Sequence, residues 1–335
     1  MNKSFSFKFA ANTLEVKCFD RLTIALSGKG GKQAVKRKKT VSRDLIDDIA
    51  RFIDIGANKS LYQIMYSEKI AFPSFQISIY YPVQFEALRM LEGLQLGEFL
   101  LSLACSQNWD DNSGGKTGAS FIKTYDQKFV FKQLDKKEFS MLLGFTPKYL
   151  KYMWESNNKK QPSLLCKIYG IYEIQYEKKT KYLIAMENMF FGFGKSVKVY
   201  DLKGSELNRY AGKKNEEDSG TLLDTNYRVD RNGEPLPIKA ECHAFIDQGI
   251  KQDTEFLAGL KVVDYSLLLI LDEKNKVNRM GIIDYLRIYD LEKQLEHVSK
   301  KFITGGTTPT ITGPDDYKNR FQKAMSKYFM EVNCT

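Results

Sequence analysis

Histidine occurs only twice in 335 residues, as His243 and His297, so no site built on several histidines can form. The five cysteines, Cys18, Cys105, Cys166, Cys242 and Cys334, are odd in number, scattered and never spaced as Cys-x-x-Cys. That pattern suits neither a disulfide framework nor a zinc site, and a reducing cytosol is the compartment it fits. No apolar run approaches the roughly 18 residues that a membrane span needs. Met1 to Lys8 also lacks the apolar stretch of a signal peptide, so neither a span nor a leader is expected. The chain does have the makings of a core: 43% hydrophobic and 13% aromatic residues fit one large domain or two lobes. Lysine and arginine (51) exceed aspartate and glutamate (41), for a formal charge of +10. Such an excess favours an anionic partner, whether nucleic acid, an acidic membrane or a phosphorylated substrate.

Along the chain, Phe5 to Leu26 alternates apolar and polar residues and reads as short strands. Residues 27–43, with Gly28-Lys29-Gly30-Gly31-Lys32 and Lys36-Arg37-Lys38-Lys39, read as a flexible basic loop. It serves either as a solvated linker or as a contact for acidic lipid, where each cation adds roughly 1 kcal/mol. A nucleic-acid patch would carry interleaved aromatics, which this loop lacks, so nucleic acid is not an expected partner. Gln76 to Tyr81 is a strand, and the apolar spacing from Val83 to Ser106 predicts two helices. Ala119 to Tyr125 and Lys128 to Leu134 are strands joined by Asp126-Gln127. A helix from Lys136 to Trp154 is expected to break near Pro147. Strands fit Leu164 to Ile174, Tyr182 to Glu187 and Val197 to Leu202, and Lys213 to Glu234 reads as a loop. Leu291 to Lys301 and Asp315 to Val332 are predicted helical. Strands first and helices late make an α+β fold.

Two aspartates stand out, each closing an apolar run: Asp264 after Leu260 to Val263, and Asp284 after Met280 to Ile283. Either alone is a strand end with a turn. As a pair they suit phosphoryl transfer, one orienting a hydroxyl and the other holding Mg²⁺ on nucleotide phosphates. Ser113 to Phe121 carries Gly114, Gly115, Lys116 and Gly118 between two strands, where backbone N–H groups can approach phosphates. It is not a Walker A loop, because no Gly-Lys-Ser/Thr opens a helix. Lys132, alternating with apolar residues on the next strand, is placed to meet the α- and β-phosphates, and Glu138 is its natural ion-pair partner. Asn188, Met189 and Phe190 follow a strand as a hinge whose backbone can read adenine. Lys203 and Arg209 flank a glycine turn and can grip a phosphate.

With these motifs in order, Gly114 to Phe121, Phe129 to Lys132, Asp201-Leu202-Lys203-Gly204-Ser205, Asp264-Tyr265-Ser266-Leu267-Leu268 and Gly281 to Asp284, the chain resembles the phosphatidylinositol phosphate kinases. Phe145-Thr146-Pro147-Lys148-Tyr149 and Met186 to Phe190 are similar to the type III, PIKfyve-like branch. The resemblance covers about residues 75 to 332. It implies a two-lobed α+β kinase fold of antiparallel sheets with flanking helices. Residues 1–74 would be an N-terminal extension, 75–190 the N-terminal lobe and 191–335 the C-terminal lobe, with an activation loop near 300–313. It further implies ATP and Mg²⁺ as cofactors and phosphatidylinositol 3-phosphate in an anionic membrane as substrate, phosphorylated on its 5-hydroxyl. Phosphatidylinositol 4-phosphate is the alternative substrate, and a catalytically weak phosphoinositide adaptor a further one. By the same resemblance Lys132 contacts ATP, Asp264 is the catalytic aspartate and Asp284 holds Mg²⁺. Lys203 and Arg209 would meet the phosphate already on the lipid, and Glu296 would select substrate and pair with Arg209. A peripheral place on the cytosolic face of membranes, endosomal ones included, follows from the resemblance, with a scaffold protein or a second copy as further partners.

Overall fold

A β-hairpin forms where alternating residues bury one face, and Phe129 to Leu134 shows the logic: Val130, Lys132 and Leu134 share a buried face, with Phe129 buried at the strand start. The computed structural model describes residues 14–16, 24–26, 67–71, 75–104, 106–108, 121–176, 179–194, 196–212, 220–274, 277–289 and 313–332. The basic loop 27–43, the glycine loop 113–120, the helix expected over 291–301 and residues 300–312 of the expected activation loop lie outside them. The described residues fall into two units, 1–159 with 167–191, and 160–166 with 192–335.

In the first unit, β1 (Leu14–Val16) and β2 (Ile24–Leu26) pair antiparallel. The main sheet is built from β3 (Ser67–Ala71), β4 (Phe75–Tyr80), β5 (Ser106–Asn108), β6 (Phe121–Thr124), β7 (Phe129–Leu134), β8 (Ile168–Tyr176) and β9 (Lys179–Glu187). Its order is β3-β4-β8-β9-β7-β6-β5, antiparallel throughout. Helices α1 (Pro82–Leu91), α2 (Leu96–Ala104) and α3 (Lys136–Asn158) pack on it. Phe85, Leu142, Tyr149, Ile171 and Ile184 are almost wholly buried, each such side chain contributing about 1.5–3 kcal/mol. The β6–β7 turn is held by Asp126, whose Oδ1 accepts from Ser102 Oγ at 2.7 Å and Thr124 Oγ1 at 2.6 Å.

Contrary to expectation, α3 runs unbroken through Pro147. A proline there removes the N–H that would reach the Leu143 carbonyl. Tyr81 Oη donates to that carbonyl at 3.3 Å, supplying the missing donor. Strand β8 also starts later than expected, at Ile168, where the backbone N–H donates to buried Tyr149 Oη at 2.8 Å.

The second unit contains β10 (Lys198–Leu202), β11 (Leu222–Leu223), α4 (Asp224–Asp230), β12 (Leu236–Lys239), α5 (Ala240–Gly259), β13 (Ser266–Asp272), β14 (Val277–Ile283), α6 (Pro314–Tyr328) and β15 (Phe329–Val332). The sheet order is β11-β10-β13-β14, antiparallel except for the short β10–β11 pair. Strands β12 and β15 pair parallel beside it. All seven residues of β13 are buried. Residues 160–166 join this unit as a strap. Leu164 O accepts from Ile282 N at 2.6 Å, Cys166 N donates to Ile282 O at 2.9 Å, and buried Asp253 accepts from Ser163 Oγ and Leu164 N.

Three readings are corrected here. The stretch read as a loop, Lys213 to Glu234, contains β11 and α4, because its Leu222-Leu223 pair and Tyr227 are buried. The run before Asp264 is the turn leaving α5 rather than a strand, and Asp264 precedes β13. The last helix ends at Tyr328 and the chain continues as β15.

Candidate active site

Strand register brings the chemistry of the second unit to one end of its sheet. Leu202 pairs with Leu267, so Lys203 leaves β10 where Asp264 approaches β13. Ser266 pairs with Ile283, so Asp264 and Asp284 flank the same end of the β13–β14 ladder. Two further bonds stitch the flanks together: Val263 N donates to Arg287 O at 2.9 Å, and Tyr289 N to Lys261 O at 2.8 Å. Both aspartates are left-handed, with φ of 68° at Asp264 and 59° at Asp284. Aspartate tolerates that conformation better than most residues.

Asp264 sits between two cations. Lys203 Nζ donates to Oδ1 at 2.6 Å and Arg287 Nη1 to Oδ2 at 2.5 Å. Burial alone would raise the Asp264 carboxyl, but Lys203 and then Arg287 outweigh it and hold the group below its ordinary value. Tyr317 Oη donates to the Tyr265 carbonyl at 2.5 Å, pinning the residue after the aspartate. Burial pushes the Tyr317 phenol well up, so it stays a neutral donor.

Arg209 is held differently. Its Nε donates to Asp224 Oδ2 at 2.8 Å and its Nη2 to Asp201 Oδ1 at 2.6 Å and to the Asp201 carbonyl. Asp224 is wholly buried and also accepts from Gly204 N at 2.8 Å, Lys203 N at 3.1 Å and Tyr328 Oη at 3.0 Å. Asp201 Oδ2 in turn accepts from Ser266 Oγ at 3.0 Å. Burial would lower the Arg209 guanidinium, but Asp201 and Asp224 outweigh it and hold it above its ordinary value. Breaking such a buried pair costs about 3–5 kcal/mol. The Arg287–Asp264 pair is different in kind: the arginine side chain is 70% exposed, and pairs of that sort contribute about 0–1 kcal/mol.

Gly204 closes the turn between these groups at φ 67°, and a Cβ there would lie 2.7 Å from the Ala324 Cβ on α6. Only glycine lets the turn lie that close to the helix.

The first unit carries the other expected residues. Lys132 is buried on β7, between Phe121 of β6 and Ile184 of β9. Glu138 closes a capping box at the start of α3: Oε2 accepts from Asp135 N at 3.0 Å while Glu138 N donates to Asp135 Oδ1 at 2.7 Å. Asn188 Nδ2 donates to the Gln127 carbonyl at 2.6 Å and its Oδ1 accepts from Phe190 N at 3.0 Å, fixing the bend in which Met189 is buried. Gly114, Gly115, Lys116, Gly118 and Glu296 lie outside the described residues.

Sequence reasoning missed Arg287 and Asp224. Nothing in Asp284-Tyr285-Leu286-Arg287 marks the arginine. Asp224 had a signal, an acid opening a short helix after Leu222-Leu223, hidden by the polar residues around it. Among the described residues no group of three or more His, Cys, Asp or Glu gathers as a metal cage, and no helix is long and apolar enough to cross a membrane.

A family model described as phosphatidylinositol-4-phosphate 5-kinase matches residues 104–279 and 270–328. A putative 1-phosphatidylinositol-3-phosphate 5-kinase of Arabidopsis thaliana is 38% identical over 271 residues, 77% of this chain and 16% of its own length. The 1-phosphatidylinositol 3-phosphate 5-kinase of Homo sapiens is 37% identical over 272 residues, 77% of this chain and 13% of its own length. That of Saccharomyces cerevisiae is 31% identical over 312 residues, 89% of this chain and 13% of its own length. The chain thus spans only 13–16% of the length of these relatives.

Proposed function

Because the chain belongs to the phosphatidylinositol-4-phosphate 5-kinase family, we propose that it transfers the γ-phosphoryl of ATP to the 5-hydroxyl of phosphatidylinositol 3-phosphate. The observation that carries this reading is Asp264, kept ionised between Lys203 and Arg287 at the ladder end that also presents Asp284. The names of the relatives support the 3-phosphate as acceptor. The description of the family model favours a second reading, the 4-phosphate.

In the proposed mechanism, Asp264 accepts a hydrogen bond from the 5-hydroxyl and holds it toward the γ-phosphorus. Its lowered proton affinity makes it an orienting group first and a proton acceptor late, as a loose transition state allows. The new bond forms from the 5-oxygen to the γ-phosphorus as the bond to the β-phosphate oxygen breaks, and ADP leaves. Lys132 is assigned to the nucleotide phosphates and the 188–190 bend to the adenine. Asp284, one carboxylate at an exposed strand end, suits Mg²⁺, which takes one or two carboxylates beside phosphate oxygens. Mg²⁺ bound there supplies charge neutralisation on the phosphates. The basic excess of the chain favours a peripheral place on an anionic membrane surface.

The test uses radiolabelled ATP with vesicles carrying each monophosphorylated phosphatidylinositol in turn, with head-group analysis of the product. The 3,5-bisphosphate is expected, and Asp264→Asn and Lys132→Met should lower kcat by about 10²–10⁴-fold. Full turnover in either variant would remove these assignments, and a 4,5-bisphosphate product would select the second reading.

A further inference from the structure

We propose that Arg287 is the exchangeable phosphate ligand of this site, leaving Asp264 to take a phosphate monoester of the bound reactants while Arg209 stays locked in place. The inference rests on the lipid-kinase reading above.

Lys203, Arg209 and Arg287 border the Asp264 end of the sheet, and their bonding separates them. Arg209 has both Nε and Nη2 committed to Asp201 and to wholly buried Asp224. Moving it would leave two carboxylates without their cation and the turn at Lys203 without its brace. Lys203 is two-thirds or more covered, with its ammonium on Asp264 Oδ1. Arg287 is 70% exposed, and its Nη1 meets Asp264 Oδ2. Of the three it is the one that can move at little cost.

Its backbone need not move with it, because the bond from Val263 N to Arg287 O and the Val262–Ile288 bridge fix the chain there. Only the side chain swings. An arginine fork matches a phosphate with two parallel N–H bonds, and a dianion competes well against a single part-buried carboxylate held by one bond. The exchange does two things at once. It frees Oδ2 of Asp264 to accept from the acceptor hydroxyl, and it sets a positive charge against the incoming phosphate. The phosphate is either the one already on the lipid headgroup or the γ-phosphate of the nucleotide.

The test compares the full chain with Arg287→Gln and Arg287→Lys on phosphatidylcholine vesicles carrying phosphatidylinositol 3-phosphate. KM for lipid and for ATP are measured separately. Loss of a charged phosphate bond predicts a rise of about 10–100-fold in one KM, with the lysine variant recovering part of it. A rise in lipid KM alone identifies the headgroup phosphate, and a rise in ATP KM alone the γ-phosphate. Melting temperatures should match the parent within about 2 °C, as for an exposed pair. If both KM values stay within about twofold, even with kcat reduced, Arg287 only guards Asp264 and the proposal is overturned. Should the parent protein phosphorylate no lipid, the functional reading fails. Separate titrations with soluble inositol 1,3-bisphosphate and with ATP then decide for Arg287: weaker binding of either by Arg287→Gln supports the proposal, and equal binding of both overturns it.

Discussion

Replacing Asp224 by asparagine changes one atom at a wholly buried carboxylate of the second unit. Asp224 receives four donors in a site with no solvent: Lys203 N, Gly204 N, Arg209 Nε and Tyr328 Oη. Asparagine keeps the volume and one acceptor oxygen. If that oxygen stays with Gly204 and Tyr328, the new NH₂ faces the Arg209 Nε–H, donor against donor. The guanidinium then keeps Asp201 alone as its counter-charge in a half-buried position. Leaving a buried charge so poorly paired costs about 3–5 kcal/mol. For a unit of this size that corresponds to a fall in Tm of roughly 6–20 °C. Tyr328→Phe removes one donor only and should cost about 1–2 kcal/mol. Thermal melts followed by near-ultraviolet circular dichroism and urea titrations, in which the midpoint should drop at unchanged slope, measure both variants. An Asp224→Asn protein that melts within about 2 °C of the parent would refute the account of Arg209 as a locked residue.

Gly204→Ala should destabilise by about 1–3 kcal/mol and lower kcat, because φ 67° and the 2.7 Å approach to the Ala324 Cβ force the Lys203 turn to shift; denaturation and steady-state kinetics check it. Tyr81→Phe should cost about 1 kcal/mol by leaving the Leu143 carbonyl without its donor. In the Tyr81→Phe, Pro147→Ala double variant the restored helix N–H should recover most of that loss, read as a coupling in a double-mutant cycle. The folded Asp264 carboxyl lies below its unfolded value, so its contribution to stability is present above the ordinary aspartate range and is lost as pH falls through the lowered value. Removing the larger of its two cations, in Lys203→Met, should raise that value and move the acid limb of kcat upward, measured from about pH 4 to 7.

The parts of this fold that were legible in sequence are those where one residue type meets one local pattern. Asp264 was visible because five consecutive apolar residues, Leu267 to Leu271, follow almost at once, and β13 buries them all. The β6–β7 hairpin was visible because Asp126 sits in a polar turn between two alternating strands. What failed had a partner far along the chain. Pro147 reads as a helix break until Tyr81, 62 residues before Leu143, donates to the stranded Leu143 carbonyl. Helix α4 reads as loop because Asp224 and Asn226 look solvated, yet both are buried among donors from elsewhere in the unit. Arg287 was illegible for the same reason: its place beside Asp264 depends on a backbone bond to Val263 that no spacing records.

The strap at residues 160–166 has a consequence for heredity. The chain enters the second unit at Lys160, returns to the first at Lys167 and crosses again after Phe191. A crossover or gene fusion that exchanged residues 192–335 alone would deliver β14 and α5 without the segment they were matched to. Ile282 would lose both backbone bonds to Leu164 and Cys166, and Asp253 two of its donors. Residues 192–335 therefore do not make a complete cassette by themselves, and the strap is expected to descend with them.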